Sequence, residues 1–250
     1  MAKKGMAKSV TIFIILALGI TGIFVYKKIA ARNSLAAQIA ALSPRGAPPQ
    51  SIEDLRTAID LYEKKIELQV KDAAQVGIYW KILGSRLMDS DKNGRKPLYG
   101  EALGALENAV RYYPEDETIH YLIGVSAGNL AKSEYFSPAE AAEHYRIAEA
   151  AYLRAIDLHS RYGKALYGLS VLYVYALNRP ADAVPYMETY MDINKNDTDG
   201  MFILAAAYYM TENFQASADL YDRISSVSKN KDVRAQAELN KQQVMDVWYN

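Results

Sequence analysis

The sequence of 250 residues contains no cysteine, only three histidines and only five phenylalanines. Without cysteine, the chain has no disulfide framework, no zinc–thiolate site and no cysteine nucleophile. The three histidines, His120, His144 and His159, are scattered along the chain. The sequence also lacks the zinc-protease, nucleophile-elbow and phosphate-loop motifs. We therefore expect no enzymatic activity and no cofactor.

The formal net charge is zero, but the charges are unevenly distributed. Residues 1–50 contain seven Lys or Arg and no acidic residue, whereas residues 51–250 contain 22 basic and 29 acidic side chains. Neutralising a phosphate backbone requires clustered Lys and Arg, which the mildly acidic second part lacks. We therefore expect no nucleic-acid partner.

A long uncharged run lies near the N-terminus, from Ser9 to Tyr26. At about 1.5 Å per residue, a helix of this length just crosses a hydrocarbon core of roughly 30 Å. The competing interpretation is a cleaved signal peptide, whose apolar region is shorter and ends at a small-residue cleavage site. Two lysines follow the run directly, and the next residues match a cleavage site poorly. These features favour a transmembrane anchor over residues 9–28, behind a basic tail at residues 1–8.

The basic residues on the two sides of this anchor almost balance. Three precede it and three follow it: Lys3, Lys4, Lys8, Lys27, Lys28 and Arg32. The positive-inside rule then gives a slight preference for a cytoplasmic N-terminus. Because a long domain after a first apolar segment is commonly translocated, we expect a single-pass protein of the inner (cytoplasmic) membrane with an extracytoplasmic or periplasmic main domain.

Residues 29–50 connect the anchor to the rest of the chain. They predict a juxtamembrane helix followed by a semi-rigid spacer that contains three prolines. Ser51 followed by Asp54 then marks the start of another helix. We expect this helix, from Ile52 to about Lys71, to cap the N-terminal end of a domain at residues 51–250.

This domain contains a pattern of two amphipathic helices that occurs four times, since apolar residues three and four apart share one helix face. The first copy has Trp80, Leu83, Gly84 and Leu87, then Ala102, Leu106, Ala109 and Pro114. The second has His120, Ile123, Gly124 and Ala127, then Ala148, Tyr152 and Ala155. The third has Leu166, Leu169, Ser170 and Tyr173, then Ala183, Met187 and Tyr190. The fourth has Met201, Leu204, Ala205 and Tyr208, then Ser217, Tyr221 and Ile224.

The order of these residues, and the period of about 34 residues between the last two copies, resemble those of the tetratricopeptide repeat family. The resemblance implies an all-α superhelix of about four helix pairs with capping helices, preceded by one transmembrane helix. A helix from Val233 to Trp248, with Ala237 and Val244, is the expected C-terminal cap. His120 replaces the usual first large residue, so we expect it to be packed in the core. The signal Ser137-Pro138-Ala139-Glu140 predicts an early start for the helix that follows it.

In this family the first helix of each pair lines a concave groove that binds a protein or peptide partner. Carried over by register, the partner-binding residues are Lys81, Ser85, Met88, Tyr121, Val125, Asn129, Lys164, Tyr167, Val171, Tyr175, Phe202 and Tyr209. Aromatic side chains supply contact area at low entropic cost, so this surface suits a peptide or a partner helix. The carboxylate clamp of chaperone adaptors is not expected, because Ser85, Leu122 and Gly168 replace three of its donors.

The function implied by these features is that of a membrane-anchored scaffold, in cell-envelope assembly or in the organisation of a complex. Two alternatives remain open at this point. The groove could take an apolar small molecule for a transport system, or the chain could be a structural protein that assembles with itself as a homo-oligomer.

Asp89, Asp91 and Asn93, followed by Gly94, match the start of an EF-hand-like calcium loop. The twelfth position of this loop would be Gly100, so the last carboxylate ligand is missing. We therefore expect a solvated loop at this place and no metal site.

The predicted topology can be tested with protease added to intact cells whose outer barrier has been permeabilised. We expect residues 51–250 to be digested, because the anchor places them outside the cytoplasm, while a cytoplasmic marker protein remains intact. Protection of these residues until the cells are lysed would contradict the predicted orientation.

Overall fold

The computed structural model describes residues 22–32, 34–42, 52–89, 96–133 and 136–249, with only the backbone at residues 52–56, 59 and 72. The chain divides into two compact units, Met1–Ala73 and Ala74–Asn250. The basic tail, most of the predicted anchor and the proline-containing spacer lie outside the described residues. Within the described residues, the structure contains no helix of the length and apolarity needed to span a membrane.

In the first unit, residues 22–32 and 34–42 are helical. They pack against the first part of helix α1 (Ile52–Met88), since Leu35 and Leu68 line the same cavities and both Ile39 and Ala58 are buried. Of the helix predicted from residue 29 to residue 42, residues 29–32 and 34–42 are helical.

Helix α1 continues without interruption to Met88, so the prediction that a separate capping helix ends near Lys71 is wrong. The residues that follow Lys71 include two alanines, the best helix formers, and a single glycine costs a helix only about 1 kcal/mol. This glycine, Gly77, lies where α1 meets the turn after the next helix, since a Cβ there would be 2.5 Å from Cβ of Tyr112. Close packing therefore compensates for the weak helix propensity of Gly77.

The second unit continues with helices that pack in chain order. They are α2 (Tyr99–Val110), α3 (Glu117–Leu130), α4 (Pro138–Leu158), α5 (Gly163–Val171, followed by a π-helical turn at Leu172–Ala176), α6 (Pro180–Ile193), α7 (Thr198–Met210), α8 (Phe214–Val227) and α9 (Lys231–Tyr249). The four predicted pairs are present: α1 meets α2 where Gly84 lies against Leu106, and α3 packs with α4, α5 with α6 and α7 with α8. Helix α9 packs against α8 at the C-terminal end.

Polar side chains begin several of these helices by accepting hydrogen bonds from their free backbone N–H groups. At α4, the Ser137 hydroxyl accepts from the Glu140 N–H, and Glu140 accepts from the Ser137 N–H at 2.8 Å. This capping box confirms the predicted start at Pro138. At α3, the Asp116 carboxylate accepts from the N–H groups of Thr118 and Ile119 at 2.9 and 3.1 Å.

The residues that the repeat pattern assigns to the helix interfaces are mostly buried. They include Ala102, Leu106, Ala109, Ile123, Ala127, Ala148, Ala155, Leu166, Leu169, Ala183, Met187, Met201, Leu204, Ala205, Ser217, Tyr221 and Ile224. His120 is an exception, since its side chain is only half-buried and its Nε2 donates to the Pro114 carbonyl oxygen at 2.8 Å. The buried residue of this turn is the preceding Ile119. The prediction of a core histidine is therefore wrong.

Tyr152 of α4 lies between two glycines of successive first helices. A Cβ on Gly124 of α3 would lie 2.6 Å from the Tyr152 ring, and a Cβ on Gly168 of α5 would lie 2.8 Å from it. Real side chains do not approach that closely, so both positions require glycine for the ring to keep its place. One tyrosine thereby sets the spacing between two neighbouring repeats.

We expect Gly124→Ala to lower the free energy of unfolding by about 1–3 kcal/mol, because the added methyl group overpacks the Tyr152 ring. The matched control is Gly104→Ala in α2, where a Cβ would meet nothing within 4 Å. There alanine should stabilise the helix by about 0.5–1 kcal/mol. Urea unfolding followed by the helical circular dichroism signal measures both effects. Equal changes in the two variants would contradict the proposed packing role.

Candidate functional site

The structure brings seven of the twelve predicted groove residues together around one cavity between α3, α4 and α5. This groove cavity has a volume of about 300 Å³. It is lined by Tyr121, Val125, Gly128, Asn129, Lys132, Tyr145, Tyr152, Lys164, Tyr167, Gly168, Val171, Leu172, Tyr175 and Ala176. The predicted residues among them are Tyr121, Val125, Asn129, Lys164, Tyr167, Val171 and Tyr175.

A second recess of about 560 Å³ adjoins this cavity at the N-terminal ends of α5 and α7. The acidic recess, as we name it, is lined by Tyr121, Tyr162, Gly163, Lys164, Tyr167, Tyr190, Ile193, Asn194, Asp197 and Asp199. Tyr121, Lys164 and Tyr167 border both spaces. The two therefore form one continuous surface that follows the first helices of three successive repeats.

Aromatic rings packed against one another hold this surface in shape. The Tyr121 ring lies 6.2 Å from the Tyr152 ring and, in a T-shaped arrangement, 5.8 Å from the Tyr162 ring. The Tyr167 and Tyr190 rings are 5.4 Å apart. Such pairs are worth about 0.5–1.5 kcal/mol beyond the area that they bury. The groove walls are therefore preorganised before any partner binds.

The same environment keeps the phenols neutral. Burial, and then the neighbouring Tyr162, raises the pKa of Tyr121. Burial also raises the pKa of Tyr167, with further contributions from Asp199 and Asp197. Because phenols already ionise near pH 10 in water, these side chains stay protonated at physiological pH. They can therefore offer both hydrogen bonds and apolar ring faces to a bound chain.

Tyr175, at the rim of the groove cavity, comes from the π-helical turn that ends α5. After this turn, Asn178 adopts a left-handed conformation with φ of 51°, which asparagine tolerates better than most residues. The following Arg179 pairs with Glu149 of α4 at 2.8 Å and lies over the Tyr173 ring at 4.6 Å. These contacts connect the end of α5 to α4 and so fix the position of the rim.

The other five predicted groove residues do not line either cavity. Lys81 pairs with Asp116 at 2.7 Å instead, beside the start of α3. Phe202 packs against Tyr221 with ring centroids 5.9 Å apart, and Tyr209 packs against Phe214 at the same separation. Ser85 and Met88 are half-buried on α1. The repeat register alone does not reveal these competing partners.

Several cavity residues were not anticipated from the repeat pattern. Tyr145 and Tyr152 come from α4, the second helix of its pair, and Lys132 comes from the turn after α3. The repeat pattern does mark Tyr152, but as a packing residue of the second helix and not as part of the groove. Lys132 has no comparable signal.

The calcium-like loop falls almost entirely outside the described residues, since Asp91 and Asn93 belong to the segment that the structure does not describe. Elsewhere, in the ranges that it does describe, no group of three His, Asp or Glu side chains is placed to hold a metal ion.

Comparison with known proteins agrees with this architecture. Residues 139–198, which span α4 to the start of α7, match the family model of the tetratricopeptide repeat. A structure of residues 41 to the end of MamA from Desulfovibrio magneticus RS-1 superposes with a TM-score of 0.50, covering 70% of this chain and 94% of that chain at 17% identity. The helix array is a tetratricopeptide-like superhelix. The chain is also similar in sequence to a TPR repeat-containing protein of Borreliella burgdorferi, with 22% identity over 187 residues, 75% of this chain and 78% of that protein.

The ion pair between Lys81 and Asp116 makes the stability of the helix array depend on pH, with a sign that the pKa of Asp116 fixes. Burial alone would raise the pKa of Asp116, but hydrogen bonds from Lys81 and the backbone N–H groups, with the charge of Lys81, hold this pKa below its ordinary value. A lowered pKa in the folded state stabilises the protein above the unfolded-state value of about 3.9. This stabilisation is lost as the pH falls through the folded-state value.

We expect Lys81→Met to lower the free energy of unfolding by about 0.5–1 kcal/mol at neutral pH, the range of a partly exposed ion pair. The difference in the free energy of unfolding between this variant and the wild-type protein should shrink below about pH 4, because Asp116 becomes protonated. Urea unfolding of both proteins at a series of pH values measures this difference. Lys229→Met, at an exposed lysine of the α8–α9 connection, should change the stability little at any pH. A Lys81→Met deficit that persists undiminished at pH 3 would contradict the ion-pair explanation.

Proposed function

We propose that this chain is a tetratricopeptide scaffold that binds a segment of a partner protein along the groove cavity and the acidic recess. The observation that carries the proposal is a preorganised aromatic surface that stays open to solvent. The Tyr175 side chain at its rim is 64% exposed. Neither cavity is lined by α9, so the C-terminal cap does not fill them. An exposed aromatic surface of this extent is typical of an interaction site.

A peptide suits this surface better than an apolar small molecule does. A site for such a molecule buries most of the ligand in a closed pocket that is mainly apolar. Here the groove cavity is small, opens beside the exposed Tyr175 and continues into a recess that contains Asp197 and Asp199. An elongated surface with both apolar and charged parts matches an extended chain, whose side chains alternate along its length.

The N-terminal segment supplies the second half of the proposal, which is attachment to a membrane. The uncharged run from Ser9 to Tyr26 has the length of one transmembrane helix. At its end, the apolar side chains of residues 23–26 are 50–73% exposed, which suits contact with lipid better than contact with water. The scaffold would then hold its partner near the membrane, outside the cytoplasm, in cell-envelope assembly or in the organisation of a complex.

Site-specific crosslinking in living cells tests the groove. With a photoreactive amino acid in place of Tyr167, we expect a crosslinked partner that is absent when the same group replaces the exposed Tyr249. The Tyr175→Ala variant should reduce the crosslink strongly, because an aromatic anchor that becomes buried on binding contributes about 2 kcal/mol or more to a typical interface. Equal crosslinking from both positions, or a crosslink that Tyr175→Ala leaves unchanged, would exclude the groove as the binding surface.

A further inference from the structure

The charges that line the groove cavity are all of one sign. Among its fourteen lining residues, Lys132 and Lys164 are basic and none is acidic. Over residues 51–250, by contrast, 29 acidic side chains outnumber 22 basic ones. The basic character of the cavity is therefore a local property and does not follow from the composition of the array.

The two lysines lie at opposite ends of the cavity. Lys164, in the first turn of α5, places its Nζ 5.9 Å from the Tyr121 ring centroid. Lys132 follows Tyr121 by eleven residues, at the end of α3, which corresponds to about 16 Å along a helix. An extended chain covers that distance in about five residues, at roughly 3.3 Å per residue.

The two ammonium groups have different surroundings. Lys164 also borders the acidic recess, so Asp197 and Asp199 lie near it. The side chain of Lys132 has no ion pair with any residue in the described ranges, and no acidic residue shares the cavity with it. The Lys132 side chain is exposed to solvent at the edge of the cavity, so a partner can reach its ammonium group. Lys132 is therefore the group best placed to bind a carboxylate.

The size of the cavity restricts what can enter it. A helix of 10 Å diameter and 16 Å length occupies roughly 1,000 Å³ or more, so a whole helix cannot enter about 300 Å³. One or two large side chains of an extended segment can enter this space. Three of the residues that line it, Tyr121, Val171 and Tyr175, are aromatic or aliphatic.

We infer that the groove cavity binds an extended peptide segment of the partner that places an aromatic or aliphatic side chain between Tyr121, Val171 and Tyr175 and an Asp or Glu side chain against Lys132. This inference rests on the proposed function, which it deepens by naming the chemistry of the bound segment. The carboxylate pairs with the Lys132 ammonium while the apolar side chain fills the cavity. Charge and shape together then select the partner.

Selection from a displayed library of random twelve-residue peptides, against the full chain purified in detergent, tests the inference. We expect the selected peptides to be enriched in Asp or Glu near an aromatic or aliphatic residue. In fluorescence anisotropy at low salt, Lys132→Glu should weaken binding of a selected acidic peptide at least tenfold. The matched charge reversal Lys229→Glu, outside the groove, should change binding less than twofold. Replacement of the peptide's acid by Lys should restore binding to Lys132→Glu.

The outcomes separate this inference from the proposed function. Selected peptides without acid enrichment, whose binding is lost in Tyr175→Ala but unchanged in Lys132→Glu, would overturn the acidic specificity and leave the groove as the binding site. Selected peptides that Tyr175→Ala does not affect, or no selected peptide at all, would overturn both. Because Tyr175 is mostly exposed, its truncation should leave the helical circular dichroism spectrum unchanged, and this measurement accompanies each variant.

Discussion

The close approach of the Tyr152 ring to Gly124 and Gly168 is the contact on which the geometry of the groove depends. A helix pair of one repeat must pack against the first helix of the next, and this tyrosine fills the space where three helices meet. Any side chain at either glycine would push α3 or α5 away from α4. The distance between α3 and α5, and therefore the width of the groove cavity, follows from this one arrangement.

The same contact explains why the groove is aromatic yet polar. Tyr152 forms part of its wall and supports Tyr121, which in turn contacts Tyr162 and lies beneath Lys164. The 20 tyrosines and only 5 phenylalanines of the chain suit this role, because each ring packs on its neighbours while its hydroxyl remains able to bond. A partner thus meets a firm surface that loses little side-chain entropy on binding.

The charged residues make the two ends of this surface different. Lys132 lies at one end, Asp197 and Asp199 lie at the other, and Lys164 lies between them. A segment bound in one orientation would place its acidic end at Lys132, and the reversed segment would meet a charge of the wrong sign. Electrostatic complementarity of this kind favours specificity and association rate more than raw affinity. The acidic remainder of the array would also repel acidic segments that dock elsewhere.

The sequence by itself determined the helical class, the four pairs and most of their buried residues, because a spacing of three and four residues assigns side chains to one helix face. It also determined the start of α4, since the Ser137 and Glu140 caps act over only three residues. Tertiary structure decided the rest. Whether α1 ends near Lys71 depends on the packing of Gly77 against Tyr112, and whether Lys81 faces a partner depends on Asp116, which lies 35 residues away. Repeat register gives each side chain a direction, but only the packed neighbours decide what that side chain meets.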